Sequence, residues 1–257
     1  MFYRIGVLLK DFWVTFLNGM LSTLILALVG TFVGLLIGVV VALGRNLEIK
    51  ETDSKAKRAL KRFVLGLTSV YVNLFRGTPM MVQAMIIFFG SDIIGIHWLD
   101  INPFWIFNGY FFCGLVVITI NTGAYMSEIV RSGLNGVDKG QEEASRALGM
   151  SYFKTMTKVI MPQAIRNALP TILNEYIVNV KDSSVLNVIG LTELYASVSV
   201  ATSKNYFKVE GYIIIAVIYL VLTLLATLVA KIIQAKLENR KISLNPFKSN
   251  KPIVEVN

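Results

Sequence analysis

Apolar residues occur along this chain in five long stretches that contain few charged positions. A helix of about 20 residues crosses the roughly 30 Å hydrocarbon core of a bilayer, and every stretch reaches that length. The pattern therefore predicts an all-α integral membrane protein with five transmembrane helices. The predicted spans are 12–44, 63–91, 109–130, 164–190 and 210–232.

The first apolar stretch is too long for a removed secretory signal and ends without a small-residue cleavage site, so it is predicted to stay attached as an anchor. The composition agrees with a chain embedded in lipid. Hydrophobic residues make up 54% of the chain, charged residues only 16%, and the mean hydropathy is positive. These values exceed what a soluble domain shows.

Lysine and arginine are unevenly distributed between the spans. Segments 45–62 and 131–166 contain seven and six of them, and six more follow from Lys231 onward, whereas segment 92–108 contains none. Because short cytoplasmic loops carry the excess of Lys and Arg, the C-terminus is predicted to be cytoplasmic and the N-terminus to lie outside. The net charge of +9 follows from this bias and requires no nucleic-acid partner. The predicted division is residues 1–11 outside, 12–232 as the transmembrane domain and 233–257 as a cytoplasmic tail.

The cytoplasmic loop 131–163 is predicted to contain two short helices. Asp138, followed three residues later by Gln141, indicates a capping box that starts the first helix. Gly149 is predicted to end that helix, and Ser151 is predicted to cap the second.

One stripe of the first loop helix is apolar, formed by Ala144, Ala147 and Leu148, and charged residues lie opposite. Such a helix suits a groove on a partner protein. The predicted docking residues are Glu142, Glu143, Ala144, Ala147, Leu148 and Gly149.

The spacing from Glu143 to Pro162 resembles the cytoplasmic loop signature of permease subunits in bacterial ABC importers. That signature is Glu-Ala-Ala, three residues, Gly, nine residues, Ile, any residue, Leu and Pro. This chain departs from it by Ser145, Val159 and Met161, which are small or apolar exchanges. The resemblance implies that the loop presses a coupling helix into a cleft of a cytoplasmic ATPase subunit.

The second span is interrupted near Arg76. Thr78 is a predicted cap, and Pro79 is predicted to open a new half-helix, since proline favours the first helical position. An arginine in lipid is costly, so Arg76 is a candidate for holding a carboxylate in a pathway together with the new helix N-terminus. The alternative is that Arg76 is structural and pairs with a carboxylate of a neighbouring helix.

The fourth predicted span is unusually polar. Glu175, Asn179 and Asp182 share one face at i, i+4, i+7 spacing, and Asn174 and Lys181 share an adjoining face. These faces are predicted to meet a pathway or another helix, so the residues either line the route or hold the bundle together. The pathway candidates of this span are Glu175, Asn179, Lys181, Asp182, Ser183 and Ser184.

The sequences 76–83 and 174–185 closely resemble the polar amino acid branch of these permeases, and the resemblance extends from about Asn18 to Ala230. It implies a bacterial cell membrane location and a second permease subunit, identical or related. It further implies an external solute-binding protein and a pair of ATPase subunits that bind ATP and Mg. The carried substrate would be a polar amino acid, moved by alternating access.

Other chemistry finds little support in the sequence. No Gly-x-x-x-x-Gly-Lys-Ser/Thr phosphate loop occurs, so a nucleotide site of that type is not expected on this chain. The single Cys113 excludes an internal disulfide, and the lone His97 lacks neighbouring metal ligands. We therefore predict no catalytic residue, metal or cofactor on the chain itself. Gly30, Gly34 and Gly38 indicate close helix packing, either inside the subunit or at a dimer seam.

A secondary transporter is the alternative function, with Glu128, Glu175 or Asp182 carrying a proton or cation. That class has no use for an ATPase-docking helix and often shows an internal repeat of spans, which the five stretches lack. An integral-membrane enzyme is a third class, and a chain with one histidine offers it no obvious site.

Overall fold

The structure is a computed structural model that describes residues 1–101, 106–203 and 205–237. All regular secondary structure in these ranges is helical, which confirms the predicted class. The helices are α1 (Phe2–Arg45), α2 (Lys55–Gly77), α3 (Met80–Gly90), α4 (Gly109–Asn135), α5 (Lys139–Ala147), α6 (Tyr152–Thr155), α7 (Met161–Asp182), α8 (Leu194–Ala201) and α9 (Lys208–Leu237).

Short 3-10 and π turns join some of these helices. Segments Ser91–Ile94 and Trp98–Asp100 are 3-10 turns that follow α3, and a π turn, Met156–Ile160, leads from α6 into α7. After α7 the chain continues as a 3-10 helix, Ser183–Ile189, so the α-helix ends within the predicted span 164–190.

Within the described ranges, three helices are long and apolar enough to cross a membrane on their own, namely α1, α4 and α9. The number rises to five only if two bent segments each count as one span. One comprises α2 with the stretch 80–94 and bends by 111°, and the other comprises 152–189 with α8 and bends by 51°. The predicted span 63–91 is therefore not a continuous helix.

Helices α1 and α9 cross the boundaries at 12 and 232 of the predicted division. The segment 2–11 is helical and joins the first predicted span, with non-helical backbone angles at Phe12 (φ −125°, ψ 16°). At the other end α9 extends to Leu237, past the predicted boundary at 232. The rest of the predicted tail, 238–257, lies outside the described residues, as does 102–105 of the loop 92–108.

The spaced glycines of α1 lie against α4. A Cβ atom on Gly30 would come within 2.6 Å of Ile118 Cγ2, and one on Gly34 within 2.8 Å of Thr122 Cγ2. Side chains at these positions would overlap α4, so the two helices approach closely only because the glycines have none. Gly38 meets Met126 in the same way, and the constant offset shows that the helices run parallel. The glycines serve packing inside the subunit, the first of the two predicted alternatives.

Candidate functional site

The loop 131–163 folds into the two predicted short helices. Asp138 Oδ1 accepts a hydrogen bond from Gly140 N (2.6 Å) at the start of α5, and Ser151 Oγ accepts from Lys154 N (3.4 Å) at the start of α6. Gly149 ends α5 with a left-handed backbone (φ +75°), as predicted. The capping box is incomplete, because Gln141 Oε1 accepts from Gln163 Nε2 (3.3 Å) and the cap is carried by Asp138.

The two faces of α5 differ sharply in exposure. Ser145 faces the subunit and is 5% exposed, with its Oγ donating to Gln141 O. Ala144, Ala147 and Glu143 are exposed. Leu148 is 83% exposed. The small residue at 145 lets α5 lie close to its own subunit, while the predicted apolar stripe stays uncovered.

Two aromatic residues of α6 extend this stripe. Tyr152 and Phe153 are 64% and 74% exposed. Glu142 and Arg146 form an i, i+4 ion pair (2.6 Å) on α5. We call the uncovered apolar residues the docking surface, which consists of Ala144, Ala147, Leu148, Tyr152 and Phe153.

The interruption of the second span is a sharp elbow between α2 and α3. Gln83 Nε2 donates to Phe75 O and to Thr78 O, both at 2.9 Å, so the amide caps the carbonyl end of α2. Thr78 Oγ1 donates to Leu74 O (2.8 Å), also in α2. The prediction that Thr78 caps the new half-helix is therefore wrong, because its hydroxyl belongs to the end of α2. Backbone groups freed by a break at membrane depth need such internal partners.

Helix α4 completes the elbow. Asn121 Nδ2 donates to Gln83 Oε1 (2.9 Å) and to Phe75 O (3.3 Å). Tyr71 OH donates to Ile120 O (2.6 Å), one turn earlier in α2. Gln83, the last residue of the stretch 76–83 that carries the resemblance, is only 6% exposed and joins α3 to both α2 and α4. Neither Gln83 nor Asn121 was predicted as a site residue, since the resemblance included Gln83 without a role and Asn121 is a single polar residue in an apolar stretch.

Arg76 pairs with a carboxylate of a neighbouring helix. Its Nη1 lies 3.4 Å from Glu128 Oε1, and its guanidinium lies 5.5 Å from the centre of the Tyr125 ring. Arg45 also binds Glu128, so one carboxylate serves two arginines. The ion pair with Glu128 corresponds to the alternative prediction that Arg76 pairs with a carboxylate of a neighbouring helix. Arg76 is still 43% exposed, which leaves part of the guanidinium accessible.

The polar residues of α7 divide between the interior and an open face. Asn179 is buried and donates through Nδ2 to Thr31 Oγ1 (2.9 Å) and Thr122 Oγ1 (3.0 Å), which links α7 to α1 and α4. Asn174 and Lys181, on the adjoining face, are exposed. The face of Asn179 therefore holds the bundle together, and the adjoining face is the open one.

The remaining candidates of this region lie near the end of α7. Glu175 and Asp182 are partly buried. Ser183 is buried and donates to Val180 O (3.0 Å), whereas Ser184, partly buried, donates to Lys181 O (2.7 Å). No hydrogen bond or ion pair among the described residues joins these side chains to Arg76 or Thr78. The predicted pathway residues thus form two separate groups.

Glu193 is a buried carboxylate that sequence reasoning did not single out. Its side chain is fully buried and accepts from Ala196 N (2.9 Å), Tyr219 OH (2.9 Å) and Thr23 Oγ1 (3.2 Å). It caps α8 and ties it to α1 and α9. Gly19 allows this approach, since a Cβ there would lie 2.9 Å from Glu193 O. A lone acidic residue in the apolar run 185–201 was the available signal.

The described residues contain no group of three His, Cys, Asp or Glu side chains placed to hold a metal ion. Cys113 is buried in the core, and His97 Nδ1 lies 3.1 Å from Asp92 Oδ1 on the surface. The site is therefore built from helix packing and polar contacts between helices, with an exposed apolar surface on one loop.

Comparison with known proteins identifies relatives of the whole bundle. Residues 34–239 match the family described as the binding-protein-dependent transport system inner membrane component. The chain is 35% identical to the arginine transport system permease protein ArtQ of Bacillus subtilis, over 87% of this chain and 92% of that protein. It is 34% identical to the putative glutamine transport system permease protein GlnP of Rickettsia bellii, over 86% and 91%.

Solved structures share the fold. The crystal structure of an amino acid ABC transporter with histidines superposes with a TM-score of 0.76 at 33% identity, covering 89% of this chain and 96% of that one. An inward-facing form of the MetNI methionine ABC transporter gives a TM-score of 0.64 at 22% identity, covering 86% and 95%, and supports the fold alone.

Proposed function

The chain belongs to the family of binding-protein-dependent transport system inner membrane components, and we propose that it forms, with a second permease subunit, the pathway of an ATP-driven importer for a polar amino acid. Its relatives make it an ABC-type amino acid permease subunit, a membrane protein that is not itself a catalytic enzyme. The second permease subunit is another copy of this chain or a sister chain.

The docking surface is the observation that carries the proposal. An exposed leucine and two exposed aromatic residues on a loop built of capped helices form an apolar surface that a partner protein would cover. We infer that a pair of cytoplasmic ATPase subunits binds there, each supplying its own ATP and Mg site. The coupling residues are then those of 142–149 predicted from the sequence, joined by the aromatic residues of α6.

The distribution of Lys and Arg supports an orientation with the N-terminus outside and the docking surface in the cytoplasm of a bacterial cell. In this orientation α8 and the loop 92–108 face the outside. We infer that a solute-binding protein delivers the amino acid on that side. We call residues 136–160, which carry the docking surface, the docking loop. ATP binding would then bring the docking loops of the two permease subunits together and turn the pathway outward, and hydrolysis would reverse the change.

The open face of α7 supports a polar substrate. Asn174 and Lys181 are exposed on a helix whose other face packs into an apolar bundle, and polar groups on such a helix belong next to a cavity. We assign the route to this face, with Ser184 near its end and Arg76 and Thr78 at the elbow. The other candidates of α7 lie deeper than this face: Glu175 and Asp182 are partly buried, and Ser183 is buried. Asn179 links α7 to α1 and α4.

The test is to co-purify the chain with its ATPase partner and binding protein in lipid nanodiscs. ATP hydrolysis is then measured with L-arginine, L-glutamine, L-histidine and L-glutamate in turn. Stimulation by one amino acid is expected, and it identifies the substrate. Leu148→Glu is expected to abolish ATPase binding, whereas Leu47→Glu, which alters an exposed leucine outside the docking surface, is expected to leave it intact.

Two outcomes would contradict the proposal. One is equal ATPase binding by the Leu148→Glu and Leu47→Glu variants, which would place the docking contact elsewhere. The other is amino acid uptake that follows an ion gradient and continues in the absence of any ATPase. That second outcome would favour a secondary transporter in which Glu128, Glu175 or Asp182 carries the ion.

A further inference from the structure

Helix α4 connects the docking loop to the elbow. It is continuous from Gly109 to Asn135, and only three residues, 136–138, separate its end from α5. A displacement of α5 by a partner is therefore transmitted directly to the end of a long helix. Residues that contact the polar side chains of α4 are therefore expected to move with this helix.

Three polar or aromatic residues of α4 lie on one face at i, i+4, i+7 spacing, namely Asn121, Tyr125 and Glu128. Each one contacts the elbow. Asn121 binds Gln83 and Phe75 O, Tyr125 lies against the Arg76 guanidinium, and Glu128 forms an ion pair with Arg76. We call these three residues the elbow stripe.

We propose that the elbow stripe positions the α2–α3 elbow according to the position of the docking loop. The elbow is the point at which the chain bends by 111°, and its freed carbonyl groups are held by Gln83. Asn121 holds Gln83 in turn, so α4 controls the side chain that fixes the angle of α3. The proposal rests on the proposed function for its driving force, which is the ATPase acting on α5.

The position of α3 matters for the pathway. Met80, Ile87 and Phe88 of α3 pack against a buried cluster that contains Leu186 and Ile189. Those two residues belong to the 3-10 helix that begins with Ser183 and Ser184. A change in the angle of α3 therefore reaches the segment beside the proposed route. This sequence of contacts runs from the docking loop through α4 and the elbow to the end of α7.

Thr122, the residue next to Asn121, provides the contrast. It is fully buried and bonds to Asn179 of α7, on another side of α4. Both residues make side-chain hydrogen bonds from the middle of the same helix to a neighbouring helix. Asn121 bonds to the elbow, whereas Thr122 bonds to Asn179 in the helix bundle. Thr122→Val is thus a matched control for Asn121→Leu.

The experiment measures the movement of α3 in the full complex in nanodiscs. Spin labels are attached at Ile86→Cys on α3 and Val217→Cys on α9, both exposed, in a Cys113→Ser background. Pulsed electron paramagnetic resonance then gives the distance between them with and without ATP. The unaltered complex is expected to show a distance that shifts on ATP binding.

Asn121→Leu is expected to bind the ATPase normally and keep basal ATP hydrolysis, yet to lose the ATP-dependent shift of α3. Stimulation of hydrolysis by the loaded binding protein should fall by about fivefold. Thr122→Val should keep both the ATP-dependent shift of α3 and the stimulation of hydrolysis by the loaded binding protein. Glu128→Gln preserves side-chain size at a partly exposed position and should also reduce the ATP-dependent shift of α3. If Asn121→Leu does not fold, this variant tests the inference in its place.

The inference is overturned if the ATP-dependent change in the spin-label distance is as large in Asn121→Leu and Glu128→Gln as in Thr122→Val. It is also overturned if ATP leaves this distance unchanged in the unaltered complex. Failure of the unaltered chain to hold any ATPase is a separate result. It overturns the proposed function together with this inference.

Discussion

The two bends of the bundle are stabilised in different ways. At the α2–α3 elbow, the amides of Gln83 and Asn121 satisfy the freed carbonyl groups, and the partly exposed Arg76 lies beside them. At the bend before α8, the carboxylate of Glu193 accepts hydrogen bonds from Thr23, from Tyr219 and from the backbone. The first bend is partly open, and the second is fully enclosed.

This difference has a physical consequence. A fully buried polar network is strongly penalised when any member loses its partner, so it favours one fixed geometry. At the elbow Gln83 is buried, but Arg76 and Asn121 are partly exposed, and partly exposed polar groups can exchange partners with solvent at a small difference in free energy. We therefore expect the bend at Glu193 to keep its shape and the elbow to be the adjustable one. The predictions below test this contrast.

The largest effect is expected at Glu193. Glu193→Leu removes the acceptor of the buried Thr23 hydroxyl, of the partly buried Tyr219 hydroxyl and of one backbone N–H, and should lower the free energy of unfolding by about 3 kcal/mol or more. Glu193→Gln keeps an acceptor of the same shape and should lose about 1 kcal/mol. Thermal unfolding in nanodiscs measures both. Equal stability of the Leu variant and the unaltered protein would refute the enclosed-network interpretation.

A smaller loss of stability is expected at Gln83. Gln83→Leu leaves the carbonyl groups of Phe75 and Thr78 without the amide donor and should cost about 2 kcal/mol. Gln163→Leu is the matched control, because Gln163 sits on the more exposed loop side and bonds to Val159 O and Gln141. The Gln163→Leu variant should lose only about 0.5 kcal/mol of its free energy of unfolding. The same unfolding assay compares them, and equal losses would remove Gln83 from its role as the cap of α2.

Features encoded by neighbouring residues were predictable from the sequence. The start and end of α5 follow from Asp138 and Gly149, and the interruption near Pro79 follows from its fixed backbone angle and missing N–H. The apolar length of the spans gave the helical class. Local chemistry was therefore sufficient for the docking loop and for the existence of the elbow.

Features that depend on distant partners were not predictable. Gln83 meets Asn121, 38 positions away, and Glu193 meets Thr23, 170 positions away. Periodicity placed Asn179 on a helix face, but which neighbour that face meets depends on the packing of α1 and α4. The extension of α1 to Phe2 was also missed, because segment 1–11 contains charges that mask its apolar contacts with α8 and α9.

The partly open half of the elbow should show a modest coupling energy. A double-mutant cycle with Arg76→Ala and Glu128→Ala is expected to give about 1 kcal/mol, because the pair is partly shielded and supported by a ring contact. The exposed pair Glu142 and Arg146 should give about 0.3–0.5 kcal/mol in the same kind of cycle. A coupling near 3 kcal/mol at Arg76 would show that this side of the elbow is as rigid as the bend at Glu193.

The smallest effect is expected in the α1–α2 turn, outside the bundle. Hydrogen bonds from Lys61 and Lys50 N to Asp53, together with Lys57, hold the pKa of the Asp53 carboxyl well below its usual range. A carboxyl with a lowered folded-state pKa stabilises the protein above its ordinary pKa of about 4, and this contribution is lost as the pH falls. The difference in unfolding temperature between the unaltered protein and Asp53→Asn should therefore stay nearly constant from about pH 7 to 5 and narrow progressively as the pH is lowered below about 4. Asp100→Asn, at an exposed carboxyl in a 3-10 turn, should show little difference at any pH, and a gap at Asp53 that stays constant with pH would contradict the assignment.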